Sequence, residues 1–105
     1  MNFKELGEKL GLEEDEYREL IELFIETGGA DYQKLLEGLA AGNADQVRSS
    51  AHTIKGASGN LGLLDVSEVA SSIEASAMNH QLEKAGNAVD TLKRQFEAIQ
   101  AFAQK

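Results

Sequence analysis

The chain has 105 residues, near the commonest size for a single domain, so it has room for one hydrophobic core and little for a second. Cysteine is absent, which excludes disulfides, thiolate metal sites and thiol nucleophiles together; proline is absent too, and a composition leaning on Ala, Leu, Glu, Lys and Gln favours helix throughout. A formal net charge of −8 with no basic run argues against a nucleic-acid ligand, and no stretch has the apolar length of a signal-peptide core or a bilayer span. The expectation is a cytoplasmic protein of one domain, residues 1–105, with no membrane or nucleic-acid partner. Its acidic balance suits plain solubility, or a partner with a locally basic rim.

Apolar residues recur at helical spacing along nearly the whole chain, and no run alternates as a half-buried strand does. Phe3, Leu6 and Leu10 make a short first stripe that Gly11 ends. The acidic turn EEDE, Glu13 to Glu16, suits a helix N-terminus, and a second stripe follows through Tyr17, Leu20, Ile21, Phe24, Leu35 and Leu39. Gly28 and Gly29 interrupt it. Because the apolar phase resumes in register beyond them, one long helix kinked at that pair is favoured over two.

Gly42 then stands where a helix C-terminus wants glycine, and Asn43 or Asp45 where the next helix wants a cap. The third helix runs to about Asn60, a short turn covers Leu61 to Asp65, and a fourth helix carries Val66, Val69, Ala70, Ile73 and Ala77. After a loop at Asn79 to Gln81, the last helix sets Ala85, Val89, Leu92, Phe96 and Ile99 on one side. Short connections make neighbouring helices antiparallel. The fold expected is all-α: an antiparallel up-and-down four-helix bundle with a short extra N-terminal helix.

On the third helix, steps of about 100° per residue bring Val47, Ala51, Ile54, Ser58 and Leu61 into one narrow sector, which must face the core. His52 projects well away from it, among Arg48, Lys55, Gly56 and Gly59. A glycine inside a helix costs roughly 1 kcal/mol relative to alanine. Here there are two, four and seven residues beyond His52 and so on the turns beside its ring. Glycines on the solvent side have no packing purpose within a bundle, and they read as a bare docking surface with an imidazole standing in it.

A neutral imidazole attacks with one nitrogen while a hydrogen bond holds the other. If the turn between the third and fourth helices centres on Leu63, His52 lies eleven residues before the centre and Glu74 eleven after it, side by side across the hairpin. Glu74 is therefore the natural acceptor for one ring N–H, orienting the ring and raising the nucleophilicity of its other nitrogen. Lys55, one turn from His52, offers an ammonium for phosphoryl oxygens, and Arg48, one turn the other way, is a weaker candidate for that task. No phosphate loop and no carboxylate cluster fit to hold a metal occurs, and His80 reads as a solvated loop residue.

The segment AHTIKGASGNLG resembles the signature HxxKGxxxxLG of the histidine phosphotransfer (HPt) domain family, matched by His52, Lys55, Gly56, Leu61 and Gly62. The following LDVSEVASSIEASA is similar to that family's next helix. The resemblance implies a four-helix bundle that takes a phosphoryl group on His52 Nε2 from a receiver-domain phosphoaspartate, or from a sensor kinase, and passes it to another receiver. In that reading Glu74 orients His52 through Nδ1, Lys55 steadies the phosphoryl oxygens, and Gly56 and Gly59 leave room for the receiver. It also implies a carrier rather than a stand-alone kinase, with no cofactor of its own and Mg²⁺ supplied by the receiver partner. A monomer is expected, either free-standing or as a domain of a larger sensor kinase. The competing reading is a helical interaction module that docks a receiver-like partner around His52 without ever being phosphorylated.

Overall fold

The computed structural model describes residues 2–104, and five helices account for nearly all of them: α1 (Phe3–Lys9), α2 (Glu14–Ala41), α3 (Ala44–Asn60), α4 (Leu64–Met78) and α5 (Leu82–Ala103). Among the described residues there is no strand, and no helix is long and apolar enough to cross a membrane. The helices α2 to α5 pack in sequence order, and α5 closes the bundle against α2, while α1 packs on α2. This is the up-and-down arrangement that the short connections predict. The bundle is 41 Å along its longest axis, close to the length of about 42 Å that a helix of 28 residues such as α2 must have.

Local chemistry sets the helix ends. Asn43 caps α3, its side-chain oxygen accepting the Gln46 N–H at 3.1 Å, and the Glu16 carboxylate accepts the Glu13 N–H at 3.0 Å at the start of α2. At the end of α3 the chain closes a Schellman turn: Leu63 N–H donates to the Ser58 carbonyl at 2.9 Å and Gly62 N–H to that of Gly59 at 3.1 Å. That turn needs a left-handed residue, and Gly62 supplies it at φ +75°. The same turn ends α4, but there His80 takes the left-handed position at φ 57°, where a side chain is strained. His80 is thus exposed, as its sequence context suggests, and closes a helix as well.

The core is formed by the predicted stripes. Tyr17, Ile21, Leu35, Val47, Ile54, Ile73 and Leu92 are sealed from solvent. Leu10 and Leu20 depart from expectation: both fall in the apolar stripes by spacing and both are exposed. Through Gly28 and Gly29 α2 runs on as uninterrupted helix. Gly28 has a packing reason, since a Cβ there would stand 2.9 Å from the Phe96 ring, which stacks on Phe24 at 5.4 Å; Gly29 faces open space.

The end of the bundle that holds the α3–α4 turn is tied down from two sides. The buried Tyr17 hydroxyl donates to the Leu61 carbonyl, and the Phe3 ring packs edge-on against Tyr17 at 5.6 Å. With the turn fixed, residues equally far from Leu63 on α3 and α4 face each other.

Candidate functional site

His52 sits on the outer side of α3, with its side chain 64% exposed. The ring is nonetheless held. Its Nδ1 is 2.6 Å from Oε2 of Glu74 on α4, the residue that hairpin symmetry sets opposite it. An ionised carboxylate only accepts hydrogen bonds, so Nδ1 carries the proton and Nε2 keeps the lone pair. No described residue bonds Nε2, which faces solvent over the exposed side of α3.

Glu74 is the least exposed member of the cluster, at 12% for the side chain. Its second oxygen, Oε1, accepts from Lys55 Nζ at 2.6 Å. The Lys55 hydrogen bond holds the Glu74 carboxyl below its ordinary range; burial opposes this, and the bond to His52 adds to the lowering. One carboxylate therefore serves an imidazole and an ammonium, each through its own oxygen.

This pairing of Lys55 is not legible in the sequence. A lysine one turn from His52 can reach outward to a ligand or inward to the carboxylate opposite the ring, and the spacing allows both. Arg48 is exposed and takes no part in the cluster.

The two glycines differ. A Cβ at Gly56 would meet nothing within 4 Å, so that turn of α3 is open backbone beside the ring. A Cβ at Gly59 would point toward α4 and touch the Ser67 hydroxyl at 3.4 Å, so Gly59 lies at the edge of the helix pair rather than on a wholly bare face. Ser67 has a further contact, donating its hydroxyl to the Lys55 carbonyl at 3.1 Å. The signal for it was available: Gly59 and Ser67 stand four residues either side of Leu63, by the same symmetry that pairs His52 with Glu74.

Among the described residues no group of three or more His, Asp or Glu side chains is placed to hold a metal ion. His80 lies just past the C-terminal end of α4, six residues beyond Glu74, and no hydrogen bond joins it to the His52–Glu74 pair. The arrangement is thus a solvent-facing nucleophilic nitrogen on an oriented ring, with a cation one turn away and a clear approach over Gly56.

Residues 19–102 match the family model of the Hpt domain. The chain belongs to the Hpt domain family. The fold of this Hpt domain is also that of a solved relative, the histidine-containing phosphotransfer protein B (HptB) from Pseudomonas aeruginosa PAO1. The two share 27% sequence identity and a TM-score of 0.84, over 94% of this chain and 86% of that one. No curated protein matches the chain significantly.

Proposed function

We propose that His52 is the phosphoacceptor through which this histidine phosphotransfer protein serves a two-component phosphorelay. The observation that carries the assignment is the pairing of His52 Nδ1 with Glu74, which leaves Nε2 as the exposed nucleophile. In the transfer, the Nε2 lone pair attacks the phosphorus of a receiver phosphoaspartate. An N–P bond forms, the acyl phosphate P–O bond breaks, and the aspartate leaves as a carboxylate. The ring gains positive charge as the bond forms, and the Glu74 carboxylate faces that charge 2.6 Å from Nδ1. Handing the group to a second receiver runs the same steps in reverse.

Lys55 has the reach to turn from Glu74 to the phosphoryl oxygens once they arrive. Gly56 gives the receiver's active site room to close on Nε2, with Gly59 and Arg48 at the margins of the contact. Phosphoryl transfer needs positioning and charge neutralisation above all, and the Mg²⁺ that commonly supplies the latter belongs to the receiver in this reading. The chain acts as a monomeric carrier and does not use ATP itself.

The test is incubation with a phosphorylated receiver domain and Mg²⁺, followed by intact mass, comparing wild type with His52→Gln. The expected adduct is labile in acid, stable in base and absent from the variant, which keeps its fold and loses at most about 0.5–1.5 kcal/mol, the net worth of the hydrogen bond to Glu74. Chelating Mg²⁺ should stop the loading without shifting this protein's melting temperature. A folded wild type that binds receivers but never takes the group would instead establish the docking module, and His52→Gln would then bind equally well.

A further inference from the structure

Only three side-chain hydrogen bonds cross between α3 and α4 among the described residues, and they come from two residues of α4. Two belong to Glu74. The third is the Ser67 hydroxyl on the main-chain carbonyl of Lys55, at 3.1 Å. The side chains that the two helices bury in the core are small or aliphatic, among them Ala51, Ile54, Ala70 and Ile73, all fully buried. Apolar burial has no direction of its own, and small side chains leave shallow ridges to interlock. A polar bond to the backbone does have direction.

We propose that Ser67 is a positioning residue for phosphoryl transfer, fixing, within the register that the turn allows, the fine placement of α4 on α3 that holds Glu74 against the His52 ring. The proposal rests on His52 being the phosphoacceptor. Ser67 and Glu74 are seven residues apart, two turns on one side of α4, and both face α3. Ser67 grips α3 at the backbone of the residue whose ammonium Glu74 holds, so the contacts close a loop: Lys55 carbonyl to Ser67, along α4 to Glu74, and back to Lys55 Nζ. Gly59 stands beside this bond, where a Cβ would lie 3.4 Å from the Ser67 hydroxyl, in van der Waals contact. With the hydroxyl removed, the turn at Gly62 still sets the gross register, but α4 loses the one side-chain hydrogen bond to α3 that lies between that turn and Glu74, and a hydrogen bond of 2.6 Å to Nδ1 tolerates little movement.

The experiment compares wild type, Ser67→Ala and Ser67→Thr in two readouts. The first is the imidazole tautomer of His52, from its ring ¹⁵N shifts. The second is the rate of phosphoryl uptake from phosphoramidate, which needs no protein partner. Ser67→Ala should lose part of the Nδ1–H tautomer and slow uptake by roughly two- to tenfold, the range set by the net worth of one hydrogen bond. Ser67→Thr, which keeps the hydroxyl, should restore both. Wild-type tautomer and rate in Ser67→Ala, even with a lower melting temperature, would overturn the proposal and leave Ser67 a packing residue; so would a Ser67→Thr variant as impaired as Ser67→Ala. If wild type itself takes no phosphoryl group on His52, the phosphoacceptor reading fails, and the tautomer comparison still decides whether Ser67 sets the ring.

Discussion

Glu74 is the residue on which the site turns, and its ionisation is linked to stability with a definite sign. Its pKa is lowered on folding, chiefly by Lys55, so the stabilisation is present above its ordinary value of 4.5 and is lost as pH falls through the lower folded value. Glu74→Gln should therefore be less stable than wild type at neutral pH, and urea titrations should show the gap closing in acid; a gap that does not change with pH would mean that the Lys55 contact contributes nothing. The pairing of His52 with Glu74 was legible because a short turn at Gly62 makes the hairpin arithmetic reliable. The Lys55 contact was not, because a side chain with four rotatable carbons has no fixed direction until a partner is placed. Gly56 faces open space, so Gly56→Ala should stabilise α3 by about 1 kcal/mol while a methyl on the approach path slows transfer from a receiver. Thermal melts and single-turnover transfer measured on the one variant separate the two effects.

At the level of helices, the two adjacent glycines of α2 give a paired test. Gly29→Ala meets nothing within 4 Å and should raise stability by roughly 0.5–1 kcal/mol through helix propensity alone. Gly28→Ala places its methyl 2.9 Å from a Phe96 ring already stacked on Phe24, so overpacking of about 1–3 kcal/mol should outweigh that gain. Chemical denaturation of the two variants should move the midpoint in opposite directions. Sequence spacing revealed that α2 is one helix, because the apolar phase carries across the glycines. It could not reveal why Gly28 is a glycine, since Phe96 is 68 residues away and only the closed bundle brings its ring there. The left-handed His80 is not legible in the sequence because turn propensities point first to glycine or asparagine at such a position, although histidine also enters the left-handed region more readily than most side chains.

For the molecule as a whole, the order of helices and their antiparallel sense follow from connection length, and the burial of each stripe follows from its phase. What phase cannot give is the width of an exposed margin, which is why Leu20 reads as core from its spacing but is exposed. With the ring counted as neutral, as in the formal charge, the site before loading sums to zero: one carboxylate and one ammonium. On the proposed assignment, bonding a phosphoryl group to Nε2 adds at least one negative charge to a chain whose formal charge is already −8. The loaded form should therefore run ahead of the empty one toward the anode in a native gel, and bands of equal mobility would mean that no group had been stored. Since the bundle need not rearrange to accept its cargo, that separation reports charge at nearly constant shape. The occupancy of a single nitrogen then becomes a property of the whole particle, countable as two bands without a label and without breaking a bond that acid would destroy.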